Sequence, residues 1–270
     1  MDMTENTQTT DQRPQRLVIR IGCDTLSFST TKGTEVIYQP YSLNSSISMA
    51  ANLREALRTE TLLAENYSRV LVMVDVPVLM VPMQLFDEGE QEALYRHTFS
   101  GEAQLVLNTV LPALNAVAVY AIQKDLNTVL TDAFGNVRYS TAIAPVWNHL
   151  HERSYTGPRQ KLYGYFHDHR MEVFSFTQNR FKFCNSYEVD AASNALYFLL
   201  AVWKVLGMDA THDELHLAGE FSESEQLLSD AQQFLKRVFF IHPSGEFNRA
   251  PITQIPHIPY DLVTLYIKGR

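Results

Sequence analysis

The sequence predicts an α/β protein built from two similar halves, and three observations carry that expectation. Each half opens on short strands that turn at an aspartate, Asp24 in the first and Asp168 in the second. Each then passes through a helical stretch into a buried strand, residues 70–74 and 214–218, the first an unbroken apolar run of the kind that is covered on both faces. The spacing is nearly constant: Asp24 to Asp168 is 144 residues, Leu71 to Leu215 is 144, and Ser48 to Ala191 is 143. Duplication of one unit leaves such a pattern.

Taken in order, residues 17–21 and 26–30 read as strands around a turn at 23–25, and Lys32-Gly33 as a hairpin turn into a third strand over 35–41. Met49, Leu53, Ala56 and Leu57 recur at helical spacing over 48–58. After the strand at 70–74 comes an extra piece, residues 76–122. It holds an acidic helix over 88–98 and two strand-like runs, 104–111 and 116–122, with Pro112 and Asn115 at the bend. A helix over 126–134 stopped by Gly135, a strand over 137–144, and a helix opened by Pro145 complete the half. Residues 154–160, with Gly157-Pro158, read as a linker. The second half repeats the plan. Strands are expected over 161–166, 171–176 and 180–185, with turns at 167–169 and at Gln178-Asn179. Asp190 is placed to cap a helix that ends at Gly207, and 222–237 reads as an amphipathic helix with an acidic start and a basic end. A last strand covers 239–241. The expected organisation is thus a tail (1–15), a first lobe (16–153) with an inserted subdomain (76–122), a linker (154–160) and a second lobe (161–270).

Composition bounds the function. Across 270 residues, 46% hydrophobic content with 11% aromatics supports a full core. A net charge of −8, with 22 basic residues scattered among 30 acidic ones, argues against nucleic-acid binding through phosphate neutralisation. Cys23 and Cys184 lie in apolar runs and read as reduced, buried thiols. Residues 1–15 are polar, without the apolar core of a signal peptide, and read as a disordered tail. The longest apolar runs, 70–74 and 76–81, are too short to enter a membrane, so a cytoplasmic location is expected.

Two halves, each with a β-meander, helix, strand and helix, resemble the actin-like ATPase fold (hexokinase–Hsp70–actin, ribonuclease H-like). Residues 70–82, the acidic helix, the strands within 104–122 and the helix–strand over 124–144 look like the first lobe of the pilus assembly protein PilM and its relative FtsA, where a small subdomain is inserted. The chain from about residue 17 to 267 is more closely similar to a family of actin-like proteins of Bacteroidetes with no settled activity. Leu26-Ser27-Phe28, the stretch 82–87 and Ile258-Pro259-Tyr260-Asp261-Leu262 carry that similarity.

The resemblance implies a nucleotide site, and the residues argue against its working. An actin-like ATPase grips phosphate with one hairpin turn per half, of pattern Asp-(apolar)-Gly-(small). There the acid orients the hydrated metal, and glycine lets backbone N–H groups approach the phosphate. The first turn reads Gly22-Cys23-Asp24-Thr25, with glycine in the acid's place and aspartate in the glycine's. Aligned through the aspartates, the second reads Phe166-His167-Asp168-His169, again with aspartate at the glycine place. Such carboxylates would repel a phosphate, and their side chains would block it. Aspartate is also an ordinary turn residue that bonds its own backbone. The adenosine-binding turn is reduced to Gly219, followed by Glu220. Asp75 ends the strand at 70–74, where several enzymes of this fold carry a metal-facing or catalytic acid.

Other constellations are weak. His212-Asp213-Glu214-Leu215-His216 mimics a zinc-protease motif but straddles a loop and a strand, so its histidines share no helix face. His149 and His151 lie two apart on a helix, and His167 and His169 flank the second turn; both pairs read as hydrogen-bonding or solvated side chains. No Walker loop, nucleophile elbow or dinucleotide fingerprint occurs. The apolar stretches 76–86 and 105–120 exceed what a small insertion easily buries; they read as core packed against the first lobe or, in part, as an exposed patch for a partner with Leu79 and Phe86 as its anchors. The expectation is therefore a non-catalytic adaptor or scaffold for a protein partner, without catalytic residues, metal or cofactor. The alternative is an ATP-binding ATPase holding ATP and Mg through Asp24, Thr25, Asp75, Asp168 and Gly219. A third class, a metal-dependent hydrolase, would use Asp24, Asp75 and Asp168.

Overall fold

A computed structural model describes residues 15–100, 104–178 and 180–269. The expected disordered tail therefore lies outside the described residues but for Gln15, as does Asn179 of the expected hairpin turn. The first half runs β1 (Arg16–Ile21), β2 (Leu26–Lys32), β3 (Glu35–Tyr41), α1 (Met49–Thr59) and β4 (Arg69–Val74). Strand β5 (Leu79–Pro82), α2 (Gln91–Thr98), β6 (Gln104–Leu111) and β7 (Ala116–Gln123) follow, and then α3 (Lys124–Phe134), β8 (Val137–Thr141) and α4 (Ala144–Ser154). The second half runs β9 (Lys161–His167), β10 (Arg170–Thr177), β11 (Arg180–Glu188), α5 (Ala192–Val205), β12 (Glu214–Gly219), α6 (Ser224–Phe234) and β13 (Val238–Phe240). No element is read from the sequence beyond residue 241, yet the chain there builds α7 (Pro243–Glu246) and α8 (Tyr260–Lys268).

The two large sheets have one topology, β3-β2-β1-β4-β8 and β11-β10-β9-β12-β13, and β5-β7-β6 form a smaller third sheet. In each large sheet an antiparallel meander is extended by two parallel strands. The ladders define the equivalence of the halves. Ile21 pairs with Leu26 and Val74, and Phe166 pairs with Met171 and Gly219, an offset of 145 on both sides. This corrects the expectation from spacing alone. Asp24 corresponds to His169, and Asp168 to Cys23, so the two aspartates are not equivalent. A one-residue slip of register turns every side chain to the opposite face, so the difference is decisive for what each turn presents.

Burial follows the layers. Leu17, Ile19, Phe28, Val70 and Val72 pack under α1 and α3, and Leu162, Val173, Leu215 and Leu217 pack under α5 and α6. A third core lies between the halves, where Trp147 and Leu150 of α4 and Leu262 and Val263 of α8 meet Val18, Met73, Tyr163 and Tyr165. The small sheet has its own core of Val81, Tyr95, Val117, Val119 and Ala121.

Several local expectations are corrected. Asp190 does not cap α5; the Glu223 carboxylate accepts the Ala192 N–H at 2.7 Å. Helix α6 stops at Phe234, so Lys236 and Arg237 lie past its last turn. Cys23 is exposed and Cys184 half-buried. Residues 212–216 run from a turn into β12, as expected, with His212 exposed and His216 buried. Among the described residues no helix is long and apolar enough to cross a membrane.

Gly219 sets the junction between β12 and α6. Its φ is +93° and an added Cβ would lie 2.0 Å from the Phe166 carbonyl oxygen, so no side chain fits. Gly219→Ala is expected to cost about 3 kcal/mol or more in urea unfolding, whereas Gly33→Ala, where a Cβ meets open space at a φ of +61°, costs only the left-handed strain of about 1 kcal/mol.

Candidate functional site

The cleft between the halves is closed by a network of charged side chains centred on Arg20. Strand β1 points Leu17, Ile19 and Ile21 into the first core, and alternation turns Val18 and Arg20 the other way, toward the second half. Arg20 is 3% exposed. Its Nε donates to both carboxylate oxygens of Asp261, at 3.1 and 2.9 Å, in the first turn of α8. One terminal nitrogen donates to Thr25 Oγ1 at 3.1 Å and to Asp168 Oδ2 at 3.2 Å, and the other lies 3.6 Å from Asp75 Oδ2. Tyr165 donates its hydroxyl to Asp261 at 3.3 Å.

A second layer continues from Asp75, at the end of β4. Its carboxylate meets His167 Nδ1 at 2.5 Å and pairs with Arg170. The other ring nitrogen, Nε2, is 3.9 Å from Glu172, and the ring stacks on Tyr165 with centroids 4.7 Å apart. Apart from Arg20–Thr25, Arg20–Asp75 and Arg20–Asp261, whose helix α8 packs on α4 of the first half, these contacts all involve the second half.

The two hairpin turns themselves touch. Asp168 and His169 both have positive φ, +40° and +62°, the mirror-image turn that suits a two-residue hairpin and that Asp tolerates. This turn carries the Asp168 carboxylate across the cleft to Thr25, whose hydroxyl donates to it at 3.2–3.3 Å. It fits because residue 22 is glycine: a Cβ there would stand 2.1 Å from Asp168 Oδ2. On either side of this contact a cavity remains. One of about 560 Å³ is lined by Val74, Asp75, Ile122, Leu126, Arg170 and Glu188. The other, about 220 Å³, is lined by Tyr38, Tyr41, Tyr165, Gly219, Glu220 and Tyr260.

The sequence matches the family described as "Protein of unknown function (DUF3822)" over residues 4–238. The chain belongs to that family. Among solved structures it is similar to a protein of Bacteroides thetaiotaomicron VPI-5482 with an actin-like ATPase fold and unknown function. The identity is 28% and the TM-score 0.79, over 85% of this chain and 91% of that one. It is also similar to the PilM–PilN type IV pilus biogenesis complex, at 12% identity and a TM-score of 0.54 over 94% of this chain and 98% of that one. No curated protein matches the sequence. The fold is the actin-like one, and PilM shares it.

Within this family member the residues expected at a nucleotide site have separate fates. Asp168, Thr25 and Asp75 converge on Arg20, whereas Asp24 is exposed and lies 3.6 Å from His169 at the rim. Gly219 shapes its turn. With the ladder equivalence, the place of the phosphate-turn acid is held by Gly22 and His167, and that of the glycine by Asp24 and His169. Leu79 and Phe86 are half-buried against the core of the small sheet. Arg20, Arg170, Glu172 and Asp261 were not singled out from sequence, and His167 was read only as a flanking residue. A lone arginine inside the apolar run 17–21 was the available signal for the first of them.

Asp75, His167 and Asp168 bring potential metal-ligand atoms within 4.8 Å of one another. They do not fit a hydrated magnesium ion. The Arg20 and Arg170 guanidiniums already hold both carboxylates, and a second cation would have to displace them.

Burial acts first on Asp75 and would raise its carboxyl, but the charge and hydrogen bond of His167, with Arg170 and Arg20, hold it well below the carboxylate range. For His167 burial favours the neutral ring, and Asp75 and then Glu172 outweigh it and raise the imidazole. Burial raises Asp168, Asp261 and Glu172, against Arg20 for the first two and chiefly His167 for the third. The Asp75 contribution to stability is present above its unfolded pKa of about 4 and lost as pH falls through the depressed folded value. That of His167 is present below about 6.5 and lost as pH rises through the elevated folded value. The three raised carboxyls also weaken the fold as pH rises above about 4. His167→Gln should therefore lower the melting temperature by about 5 °C or more at pH 5.5 and by less at pH 9. An equal loss at both pH values would show that the Asp75–His167 pair does not titrate this way.

Proposed function

We propose that this chain is a non-catalytic adaptor or scaffold of actin-like fold, in which side chains of the protein close the cleft that a nucleotide fills in an ATPase. The observation that carries this reading is the direct contact of the two turns, with Asp168 seated against Thr25 in the space left by the missing side chain of Gly22. A phosphate gripped from both turns would have to take the place of that carboxylate. The acid that positions a metal is absent from both turns.

An adaptor needs a surface, and the small sheet offers one. Leu85 is 71% exposed, Val110 51% and Leu94 42%, on a unit whose own core is small. Leu79 and Phe86, expected as its anchors, instead pack against the core of the small sheet. PilM occurs in a complex with PilN; at 12% identity that likeness supports the fold of this chain and leaves its partner open.

Two measurements test the reading. Millimolar ATP with magnesium should leave the melting temperature unchanged, whereas a ligand at 100 times its dissociation constant adds about 2.7 kcal/mol and would raise it by several degrees. Such a rise would favour the ATPase. Leu85→Asp combined with Val110→Asp should keep the wild-type melting temperature and abolish capture of a partner from cell extract. Unchanged capture would remove the small sheet as the docking surface.

A further inference from the structure

Of the two cavities beside the touching turns, the larger, about 560 Å³, has walls of unlike character. The first half supplies an apolar wall that continues its own core. Val74 at the end of β4, Ile122 at the end of β7 and Leu126 in the first turn of α3 are buried there, and Met49 and Val76 are half-buried. The second half supplies a charged wall. Asp168 is held there by Arg20 and Arg170 by Asp75, and His169 lies 3.6 Å from Asp24. Glu188 at the end of β11 and Asp190 before α5 stand exposed at the mouth, and no ion pair among the described residues neutralises either. The interior has no positive charge to spare for them. Arg20, Arg170 and protonated His167 stand against Asp75, Asp168, Asp261 and Glu172.

We propose that this cavity binds a small organic cation of the alkylammonium class, with its methylene groups against Val74, Ile122 and Leu126 and its ammonium group between Glu188 and Asp190. An anion in this place would face two unopposed carboxylates. A metal ion would leave the apolar wall unused, and the volume is many times the ~30 Å³ share of one water molecule. A ligand with one charged end meets both walls: its apolar body leaves water, and its charge stays at the solvated mouth. Gln104 and Gln123, opposite each other at the end of the β6–β7 ladder, also line the cavity, and their amide oxygens can accept from an ammonium N–H. The place is not that of the adenosine-binding turn. The ladder offset of 145 makes Val74 the counterpart of Gly219, so the cavity lies at the corresponding strand end of the other half. The inference rests on the closed cleft and not on the adaptor role, so amine binding and partner capture are kept or lost separately.

The test compares four compounds on the wild-type protein: hexylammonium chloride, sodium hexanoate, hexan-1-ol and ethylammonium chloride. Each is added at about 10 mM, at equal pH and ionic strength, and the melting temperature is read against sodium chloride. Hexylammonium is expected to raise it by about 2 °C or more. Hexanoate reverses the charge, hexan-1-ol lacks it and ethylammonium lacks the apolar body, so each should give less than half of that shift. In calorimetric titration, E188Q/D190N, which removes both charges at exposed positions, should weaken hexylammonium about five- to tenfold. Val76→Phe, which narrows the cavity from its apolar side, should weaken it as well. No shift with hexylammonium, an equal shift with hexanoate or hexan-1-ol, or unchanged affinity in either variant would overturn the proposal. The four-compound comparison needs no variant, so it remains decisive should one fail to fold.

Discussion

A guanidinium buried to 3% exposure has to be neutralised where it stands, because its desolvation is not recovered from distant charges. Arg20 is in that position at the centre of this fold. The carboxylates that neutralise it come from places far apart in the chain: Asp75 at the end of β4, Asp168 in the turn after β9 and Asp261 in α8. Asp168 belongs to the second half, and Asp261 to α8, which packs on α4 of the first. Correct docking of the halves is thus a condition for burying Arg20, and the apolar core around α4 and α8 places Asp261 and Tyr165 to meet it.

The same requirement explains why the cleft is closed. In a fold with two pseudo-equivalent hairpins, a shared anion can hold the halves together. Here the halves are joined by an anion that is part of the chain, with the recess at Gly22 on one side and a left-handed turn at Asp168 on the other. The asymmetry is instructive. The ladder equivalents of Asp168 and His167 are Cys23 and Gly22, neither of which can carry charge across in the opposite direction. A single reaching carboxylate therefore fills a place that two symmetric ones would contest by repulsion.

Much of the fold was legible. Apolar runs bounded by turn residues placed the strands, helical periodicity placed α1, and Gly135 and Gly207 marked the ends of α3 and α5. The site was less so. Spacing of like residues suggested that Asp24 and Asp168 were partners in symmetry, but spacing is blind to a one-residue shift, and only the hydrogen-bond ladders make Asp24 the counterpart of His169. Asp190 looked like a cap because it precedes α5, while the true acceptor, Glu223, comes from the start of another helix. Asp261 lies in a short motif that carried a resemblance and gave no hint of an ion pair 241 positions away.

By itself the sequence determined that the chain is a duplicated α/β structure with a small inserted sheet, and that its hairpin turns depart from the phosphate-binding pattern of actin-like ATPases. Those properties depend on local periodicity and on which residue types stand in a turn. Tertiary structure alone decided which aspartate enters the cleft, what neutralises Arg20 and how the turns meet. Each of these is a contact between residues brought together by docking of the halves, and Coulomb energy depends on distance in space, which chain position does not encode.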